Sequence, residues 1–424
     1  MRTLPLLLGL TVLLGSTAAS AQVDEAELQA LRDQVRLLTE RLDELERQNA
    51  RAQQTDAQAT QQAVAKAEAA EQKAIEVEEQ VAAMSWAERI RWSGDFRYRY
   101  ENIEQDGRDP RNRSRIRART NIEADVSPTV KVGVGLASGG DDPVSSNVTI
   151  GGGGTSKDIK IDLAYFEWSG LANTQVTGGK YKNFLVRPAK KGLRWDGDWR
   201  PEGLGIEWDN GTFFAHGLGT WLEGDSRNGT EFAWVAQAGM KLNFGDAGKL
   251  MFGGGYSEFN IAGRTPVYGD PDDFYGNSFV ANPATGELEF LYDYRNIEAF
   301  AEYAFKLGGQ SVSLFGNYTV NTEADDNDTG YLFGAKFGSA KKRGDWDLTY
   351  FYENLEADAT VGLLADSDFG GGGTNARGHV LSGTYAFDSS WNFKATYFIN
   401  EINLASGAND DYDRLQLDLN FKFD

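Results

Sequence analysis

Two different patterns of apolar positions divide the chain. Between Val23 and Met84 there is no glycine or proline, and apolar residues recur at alternating spacings of three and four. The first part of this seam consists of Leu28, Leu31, Val35, Leu38, Leu42 and Leu45. The same spacing resumes, with its phase shifted by four residues, at Ala67, Ala70, Ala74, Val77, Val81 and Met84. This narrow heptad seam predicts an α-helical coiled-coil stalk over residues 22–85. A single amphipathic helix lying on a domain is the alternative interpretation.

Residues 86–424 show instead the alternation of apolar and polar positions that is typical of β-strands. In the final stretch, DYDRLQLDLNFKFD, Leu415 and Leu417 fall on one face, while Gln416 and Asp418 fall on the other. Sixteen such segments lie between residues 93 and 423, and short turns alternate strictly with longer loops. This arrangement predicts an all-β transmembrane barrel of 16 antiparallel strands with its apolar face toward lipid. A soluble sandwich of two sheets would produce the same alternation within each strand.

The first 21 residues predict a secretory signal peptide. Arg2 precedes an apolar run from Leu4 to Leu14, and the small residues Ala19-Ser20-Ala21 supply a cleavage site. The chain contains no cysteine, which excludes disulfides and thiolate metal sites. Its 63 acidic and 42 basic residues give a net charge of −21, which argues against binding of nucleic acid.

A row of arginines stands out against this acidic composition. The stretch RNRSRIRARTNIEADV, residues 111–126, places arginine at every second position from Arg111 to Arg119. Residues two apart share one face of a strand, so these side chains form a ladder. The opposite face, with Ile116 and Ile122, is uncharged. Taken alone, such a ladder indicates either a solvated sheet face or a face that contacts nucleic acid.

Neither an enzyme nor a cofactor is expected from the remaining residues. The two histidines, His216 and His379, fall on separate strands, and no catalytic signature surrounds either of them. The acidic loop EADDNDTG does not fit a hand-type calcium site, because Thr329 stands at the fifth ligand position and Lys336 at the twelfth. We therefore expect no metal.

Together, the signal peptide, the coiled coil, a first strand that contains WSGDFRYRYE and the arginine-rich second strand resemble the putative porin family of Gram-negative outer membranes. That family resembles the phosphate-selective O/P porins in its general organisation. The resemblance implies a trimeric, water-filled channel for passive diffusion of small hydrophilic solutes, in contact with outer-membrane lipid and lipopolysaccharide. It places the N-terminal stalk in the periplasm. Such barrels usually end in an aromatic residue, whereas Phe423 is followed here by Asp424.

The resemblance also assigns a place to the basic residues. It implies that the third extracellular loop, Val186 to Glu202, folds into the lumen and narrows it. The candidate pore-lining residues are Arg97, Arg99, Arg113, Arg115, Arg117 and Arg119 on the first two strands, and Arg187, Lys190, Lys191 and Arg194 in the loop. Rings of basic side chains bias a channel toward anions. A structural tether, in which the stalk reaches peptidoglycan, is the alternative function.

Closely spaced arginines repel one another, and this repulsion must be offset. We expect Glu123 and Asp125, on the same strand, to supply part of the compensating charge. Because lumen positions stay hydrated, we also expect that replacing any one of Arg113, Arg115, Arg117 or Arg119 with glutamate leaves folding nearly intact.

Removal of the stalk should leave a working barrel. Strands that close on themselves pair their own backbone groups, so a shortened protein that begins near Trp86 should still insert and conduct. Conductance in planar bilayers measures this, with the full mature protein as the control. A shortened protein that forms folded barrels but never conducts would contradict the expectation and give the stalk a gating role.

Overall fold

The computed structural model describes residues 25–83, 88–227, 229–266 and 273–424. The predicted signal peptide, residues 1–21, lies outside this part of the chain. The chain divides into two compact units between Val77 and Glu78. Within the described residues, no helix is both long enough and apolar enough to span a membrane.

One long helix, α1, runs from Glu25 to Ala83. It forms where the sequence is rich in alanine, leucine, glutamate and glutamine, all of which have high helix propensity. The seam residues Val35, Leu38, Leu42 and Leu45 are each more than half exposed. The helix therefore presents an apolar stripe, and its assembly into a coiled coil stays a prediction.

The second unit is built from sixteen long strands. In chain order, β1 to β16 are Ile90–Gln105, Arg111–Ser127, Val130–Ser138, Ile159–Leu171, Thr174–Lys180, Glu202–Asp209, Phe213–Glu223, Glu231–Asn243, Lys249–Phe259, Tyr294–Leu307, Gln310–Asn321, Thr329–Gly338, Trp346–Leu355, Ala376–Ala386, Trp391–Ile402 and Asp410–Phe423. Three shorter strands, Val148–Thr149, Phe279–Ala281 and Leu288–Phe290, lie in the longer connections.

Each long strand pairs antiparallel with its sequence neighbour, and β1 pairs with β16. At this seam Phe96 lies opposite Phe421, and Tyr100 lies opposite Leu417. The sheet is thus closed and has no free edge, as hydrocarbon requires of a membrane-spanning sheet. The prediction of a barrel of 16 antiparallel strands is confirmed.

The outer face of the barrel carries the apolar half of each alternating pattern. On β1, Phe96, Tyr98 and Tyr100 are exposed, while Arg99 and Glu101 between and beside them are buried. Other exposed apolar side chains on this face include Ile122, Val134, Leu204, Phe333, Leu348 and Leu381. An outer surface of this kind is suited to contact with lipid.

The inner face of the barrel is not uniformly polar. The last strand, in which the inward positions from Arg414 onward are polar, is therefore not representative of the other strands. Buried apolar side chains that point inward include Val235, Phe259, Phe315, Leu332, Phe351, Val380 and Phe398. They pack in two hydrophobic clusters with residues from several connections, among them 181–201 and 356–375. These two segments, named here the third loop and the seventh loop, fold into the barrel. One side of the interior is therefore filled by a hydrophobic core instead of water.

A charge on the outer face should impair insertion. Leu417 lies in the middle of β16 with its side chain outward, so Leu417→Arg should destabilise the barrel by about 2–4 kcal/mol if the position is close to the bilayer midplane. Urea unfolding in lipid vesicles measures the change, with Leu417→Met as the matched control. Equal stability of the two variants would show that this face does not meet hydrocarbon.

Candidate functional site

The first two strands bring the predicted arginines together on the inner face. In the β1–β2 register, Arg97 lies opposite Arg117, and Arg99 lies opposite Arg115. Carboxylates occupy both ends of the cluster, because Asp95 lies opposite Arg119 and Glu101 lies opposite Arg113. The period-2 pattern of the sequence thus produces a two-stranded patch of guanidinium groups.

Most of these arginines are ion-paired. Asp95 accepts hydrogen bonds from Arg117 Nε at 3.0 Å and Arg119 Nε at 2.7 Å. Glu101 is completely buried, and it pairs with Arg113 and with Arg414 Nη2, the latter at 2.6 Å. The repulsion between neighbouring arginines is therefore offset by carboxylates at the ends of the same two-stranded patch.

The carboxylates that were expected to offset the ladder have other partners. Asp125 binds Arg91 Nη1 at 2.8 Å, and Glu123 lies 3.8 Å from Lys131 Nζ. That expectation was wrong because both acids lie at the end of β2 beyond the arginines. Asp95 and Glu101, which flank the arginines on β1, are the actual partners.

The third loop enters the barrel and reaches this patch. Its Asp198 accepts a hydrogen bond from Arg119 Nη1 at 2.7 Å and lies 3.6 Å from Arg117 Nη1. Burial alone would raise the pKa of Asp198, but Arg119, Arg117 and neighbouring guanidinium groups hold it below the usual value. The loop is fixed to the far wall as well, because the Ala189 amide donates to Glu302 Oε2 at 2.7 Å. The tip of the loop is conformationally unusual, since Ala189 and Lys190 both have positive φ angles.

The seventh loop also enters the barrel, and the sequence did not predict this. Asp368 lies between two buried guanidinium groups, 2.9 Å from Arg99 Nη1 and 2.9 Å from Arg414 Nη2. Although burial favours the protonated acid, these two arginines hold the pKa of Asp368 well below its usual range. The loop can turn sharply here because Gly370 to Gly373 all have positive φ, a conformation that only glycine adopts without strain.

Two of the predicted residues are too deeply buried to meet water. Arg99 is 3% exposed and is held by Asp418 and Asp368. Arg194 is 1% exposed; it pairs with Glu298 at 3.4 Å, hydrogen-bonds Ser257 and lies over the Trp195 ring. The expectation that Arg99 and Arg194 line the pore is therefore corrected, because ion pairs with Asp418 and Asp368 enclose Arg99 and the third loop packs Arg194 into the core.

The remaining predicted residues keep some contact with open space. The side chains of Arg113, Arg115, Arg117 and Arg119 are between 13% and 22% exposed. Their ion pairs argue against the expectation that replacing any one of them with glutamate leaves folding nearly intact. At Arg119, for example, the change would place a third carboxylate beside Asp95 and Asp198.

The cluster carries an excess of positive charge. Seven guanidinium groups, those of Arg97, Arg99, Arg113, Arg115, Arg117, Arg119 and Arg414, lie around the five carboxylates of Asp95, Glu101, Asp198, Asp368 and Asp418, and Arg200 also pairs with Asp198. Arg97 forms no ion pair with any residue in the described part of the chain and instead donates to Asn147 Oδ1. For Arg115 the nearest carboxylate oxygen is 3.9 Å away, on Glu101. The surplus charge is therefore localised on Arg97 and Arg115.

Three cavities follow one another along this side of the interior. The central cavity, of about 220 Å³, is lined by Arg97, Asn147, Arg187, Lys190, Gly192, Asp196, Gly197, Asp198, Asp366, Ser367 and Asp368. It shares Arg187, Gly197 and Asp198 with a cavity of about 450 Å³ near the C-terminal end of β16. It shares Ser367 with a cavity of about 260 Å³ that Asn403 also lines. The spaces together extend from the strand ends near the last residues to the longer loops.

Histidines and possible metal ligands are the remaining candidates for chemistry in the described residues. No cluster of histidine, cysteine, aspartate or glutamate there is arranged to hold a metal ion. His216 faces inward on β7. His379 is exposed on the outer face of β14, where its ring stacks on the ring of Tyr350. The two histidines therefore do not belong to one site.

The closed barrel, the two loops folded inside it and the charged interior wall define a channel protein of the porin class. Residues 104–269 and 287–423 match the sequence family described as "Putative porin", and the chain belongs to that family. This confirms the resemblance inferred from the sequence. Family and fold together point to a channel of the outer membrane rather than to an enzyme.

Solved structures of other outer-membrane proteins have a similar fold. A high-pH structure of Pseudomonas putida OprB is 12% identical, with a TM-score of 0.53 over 80% of this chain and 95% of that chain. A loop L8 deletion mutant of OmpT from Vibrio cholerae is 12% identical, with a TM-score of 0.47 over 79% of this chain and 99% of that chain. Salmonella typhi OmpF in complex with daunomycin is 11% identical, with a TM-score of 0.47 over 79% of this chain and 97% of that chain. Among curated protein sequences, none matches the chain significantly.

Loss of the Asp368 carboxylate should loosen the seventh loop. Asp368→Asn leaves Arg99 and Arg414 with one carboxylate fewer, and we expect a loss of about 3 kcal/mol of stability, at the low end for a broken buried pair because Asp368 is partly exposed. Urea unfolding measures the loss, and chymotrypsin cleavage at the buried Phe369 reports release of the loop. The control is Asp388→Asn in the exposed turn after β14. A variant as stable and as resistant to cleavage as the control would contradict this role.

Proposed function

We propose that this protein is a porin through which small hydrophilic solutes, and anions preferentially, diffuse passively. The observation that carries the proposal is the surplus positive charge of Arg97 and Arg115 on the interior wall. Fixed charges on the wall of a narrow water-filled passage set the local field and so select permeating ions by sign.

The division of the interior supports a passage beside the arginines. The third and seventh loops pack their apolar side chains, among them Trp195, Leu364 and Phe369, against the wall opposite the first strands. That side is closed by a hydrophobic core, which solutes do not cross. The polar space that is left is lined by the arginine patch and by the polar edges of the two loops.

The basic residues are expected to differ in their effect on permeation. Arg113, Arg117 and Arg119 are neutralised by nearby carboxylates, so each contributes little net field. Arg97 and Arg115 are the stronger candidates on the strands. From the third loop, Arg187, Lys190 and Lys191 would add positive charge, because each lacks an ion pair within the described residues.

We also propose a homotrimer in which the helix serves as a periplasmic stalk. The exposed apolar seam of α1, including Leu38 and Leu42, supports self-association, because an isolated helix would leave this stripe in water. At 1.5 Å per residue, its 59 residues would extend about 88 Å if straight. The outer face of the barrel would contact lipid and lipopolysaccharide. Cross-linking of the full protein in mild detergent tests the assembly, and products that stop at dimers would contradict it.

Neutralising the two least compensated arginines should shift selectivity toward cations. Arg97→Gln and Arg115→Gln should each lower the anion-to-cation permeability ratio, because Arg97 forms no ion pair in the described structure and the nearest carboxylate oxygen to Arg115 is 3.9 Å away. The effect should shrink as salt approaches 1 M, where the screening length is about 3 Å. Reversal potentials in a salt gradient measure the ratio. Arg377→Gln is the control, since Arg377 lies on the outer face with Glu401. An unchanged ratio in both interior variants would overturn the anion preference.

Anion selectivity should also fall as the pH rises from about 6 to 8. Burial, together with the neighbouring Lys394, lowers the pKa of Lys191 to about 7, so this side chain is charged below that pH and neutral above it. Loss of this positive charge from the barrel interior weakens the attraction of anions. Reversal potentials recorded across this pH range test the effect, and Lys191→Met should reduce the slope. A slope that is the same in the variant would assign the titration to other groups.

A further inference from the structure

The central cavity is lined by cations that form no ion pair within the described residues. Arg97 Nε is buried and has no hydrogen-bond partner in the described structure. Arg187 donates from Nη1 to the Trp195 carbonyl at 3.3 Å, and no carboxylate within the described residues lies within ion-pairing distance of it. Lys190 is exposed at the edge of the same cavity. Leaving guanidinium groups unpaired in a confined space is unfavourable, so an anionic guest would be stabilised there.

Two carboxyl groups without ion pairs face the same space. Among the described residues, neither Asp196 nor Asp366 forms an ion pair with a lysine or arginine, and Asp196 accepts backbone hydrogen bonds from Asp198 at 2.6 Å and Ser367 at 3.0 Å. Burial and the nearby acids raise the pKa of both carboxyl groups. The carbonyl-type oxygens of both groups can accept a hydrogen bond from a hydroxyl or ammonium donor, and a guest that brings a positive charge favours their ionised form.

Resting on the channel function proposed above, we propose that the central cavity binds small carboxylates that also carry a hydrogen-bond donor, either a hydroxyl or an ammonium group. The carboxylate would lie between the guanidinium groups of Arg97 and Arg187, whose planar forks suit its two oxygens. The donor group would face Asp366 or Asp196. Hydroxy acids and amino acids share this chemistry.

Size and charge both favour this class. At about 30 Å³ per water, a cavity of about 220 Å³ holds about seven waters, which is enough for a solute of several carbon atoms with part of its hydration. Inorganic phosphate carries more negative charge, which Asp196 and Asp366 would oppose across the same short distance. A simple carboxylate such as acetate would satisfy the arginines but leave the two acids without a donor.

The site would act during permeation, not as a trap. A channel conducts when binding is favourable enough for entry and weak enough for exit. The expected signature is therefore a flux that saturates with solute concentration, whereas passage through an unoccupied pore rises in proportion to concentration.

The experiment compares glycolate, acetate and inorganic phosphate as probes with the full-length protein in planar bilayers. Glycolate current should saturate, and at a lower concentration than acetate or phosphate. Arg97→Gln and Arg187→Gln should each raise the half-saturating glycolate concentration about tenfold, the usual effect of losing one charge-assisted hydrogen bond. Arg377→Gln on the outer face should match the unchanged protein. Heat-modifiable migration on gels establishes that each variant is folded.

The acid on the other side of the cavity supplies a second, independent variant. Asp366→Asn should bring the half-saturating concentrations of glycolate and acetate together, since only glycolate has a donor whose acceptor is lost. If the protein conducts potassium chloride but its glycolate current rises in strict proportion to glycolate concentration, the binding site is overturned and the channel function is not. Phosphate saturating below glycolate would overturn the solute class. A folded protein without any conductance would overturn the proposed function itself.

Discussion

The ion pairs across the β1–β16 seam hold together the parts of the molecule that are farthest apart in sequence. Arg99 on β1 binds Asp418 on β16 through two hydrogen bonds, of 2.6 and 2.9 Å, and Arg414 on β16 binds Glu101 on β1 at 2.6 Å. These four side chains are almost fully buried. Such pairs stabilise only when the geometry is good and every charge has a partner, and here each arginine has at least two carboxylate neighbours.

This arrangement explains why the interior is asymmetric. Charged side chains concentrate on the wall formed by the first two and the last strands, where carboxylates from four separate segments meet the arginines. The opposite wall carries inward-facing aromatic and aliphatic residues, such as Phe315 and Phe351, which pack against the loops. A hydrophobic core on one side holds the loops rigidly, and their polar edges can therefore face the arginines at fixed distances.

Much of this could be predicted from local sequence patterns. The period-2 alternation gave the strand number and the shared face of Arg97, Arg99 and the second-strand arginines, because side-chain direction in a strand depends only on position. The burial of Arg194 and the capture of Asp368 could not be predicted in this way. Both depend on where a loop of about 20 residues ends after it enters the barrel, and neither loop has a periodic pattern.

One sequence feature indicates which wall of the barrel packs against the hydrophobic core. The stretch LTYFYENL on β13 has apolar residues on both faces, which a strand between lipid and water does not need. Inward-facing Phe351 pairs in register with Val380, another buried apolar residue, so the excess continues across neighbouring strands. Strands that are apolar on both faces therefore indicate which wall receives the loops.

The position of Asp368 also affects how the barrel can assemble. Because this one carboxylate contacts a guanidinium from the first strand and another from the last, neither arginine has its full set of partners until the loop is inside and the strands have met. Closure of the wall and placement of the loop are therefore thermodynamically coupled, and the contacts that complete them join segments about 270 to 320 residues apart. A barrel that closed without the loop inside would contain buried arginines that lack a carboxylate partner. A wall in which every one of these ion pairs is formed therefore also has the loop in the position that shapes the passage.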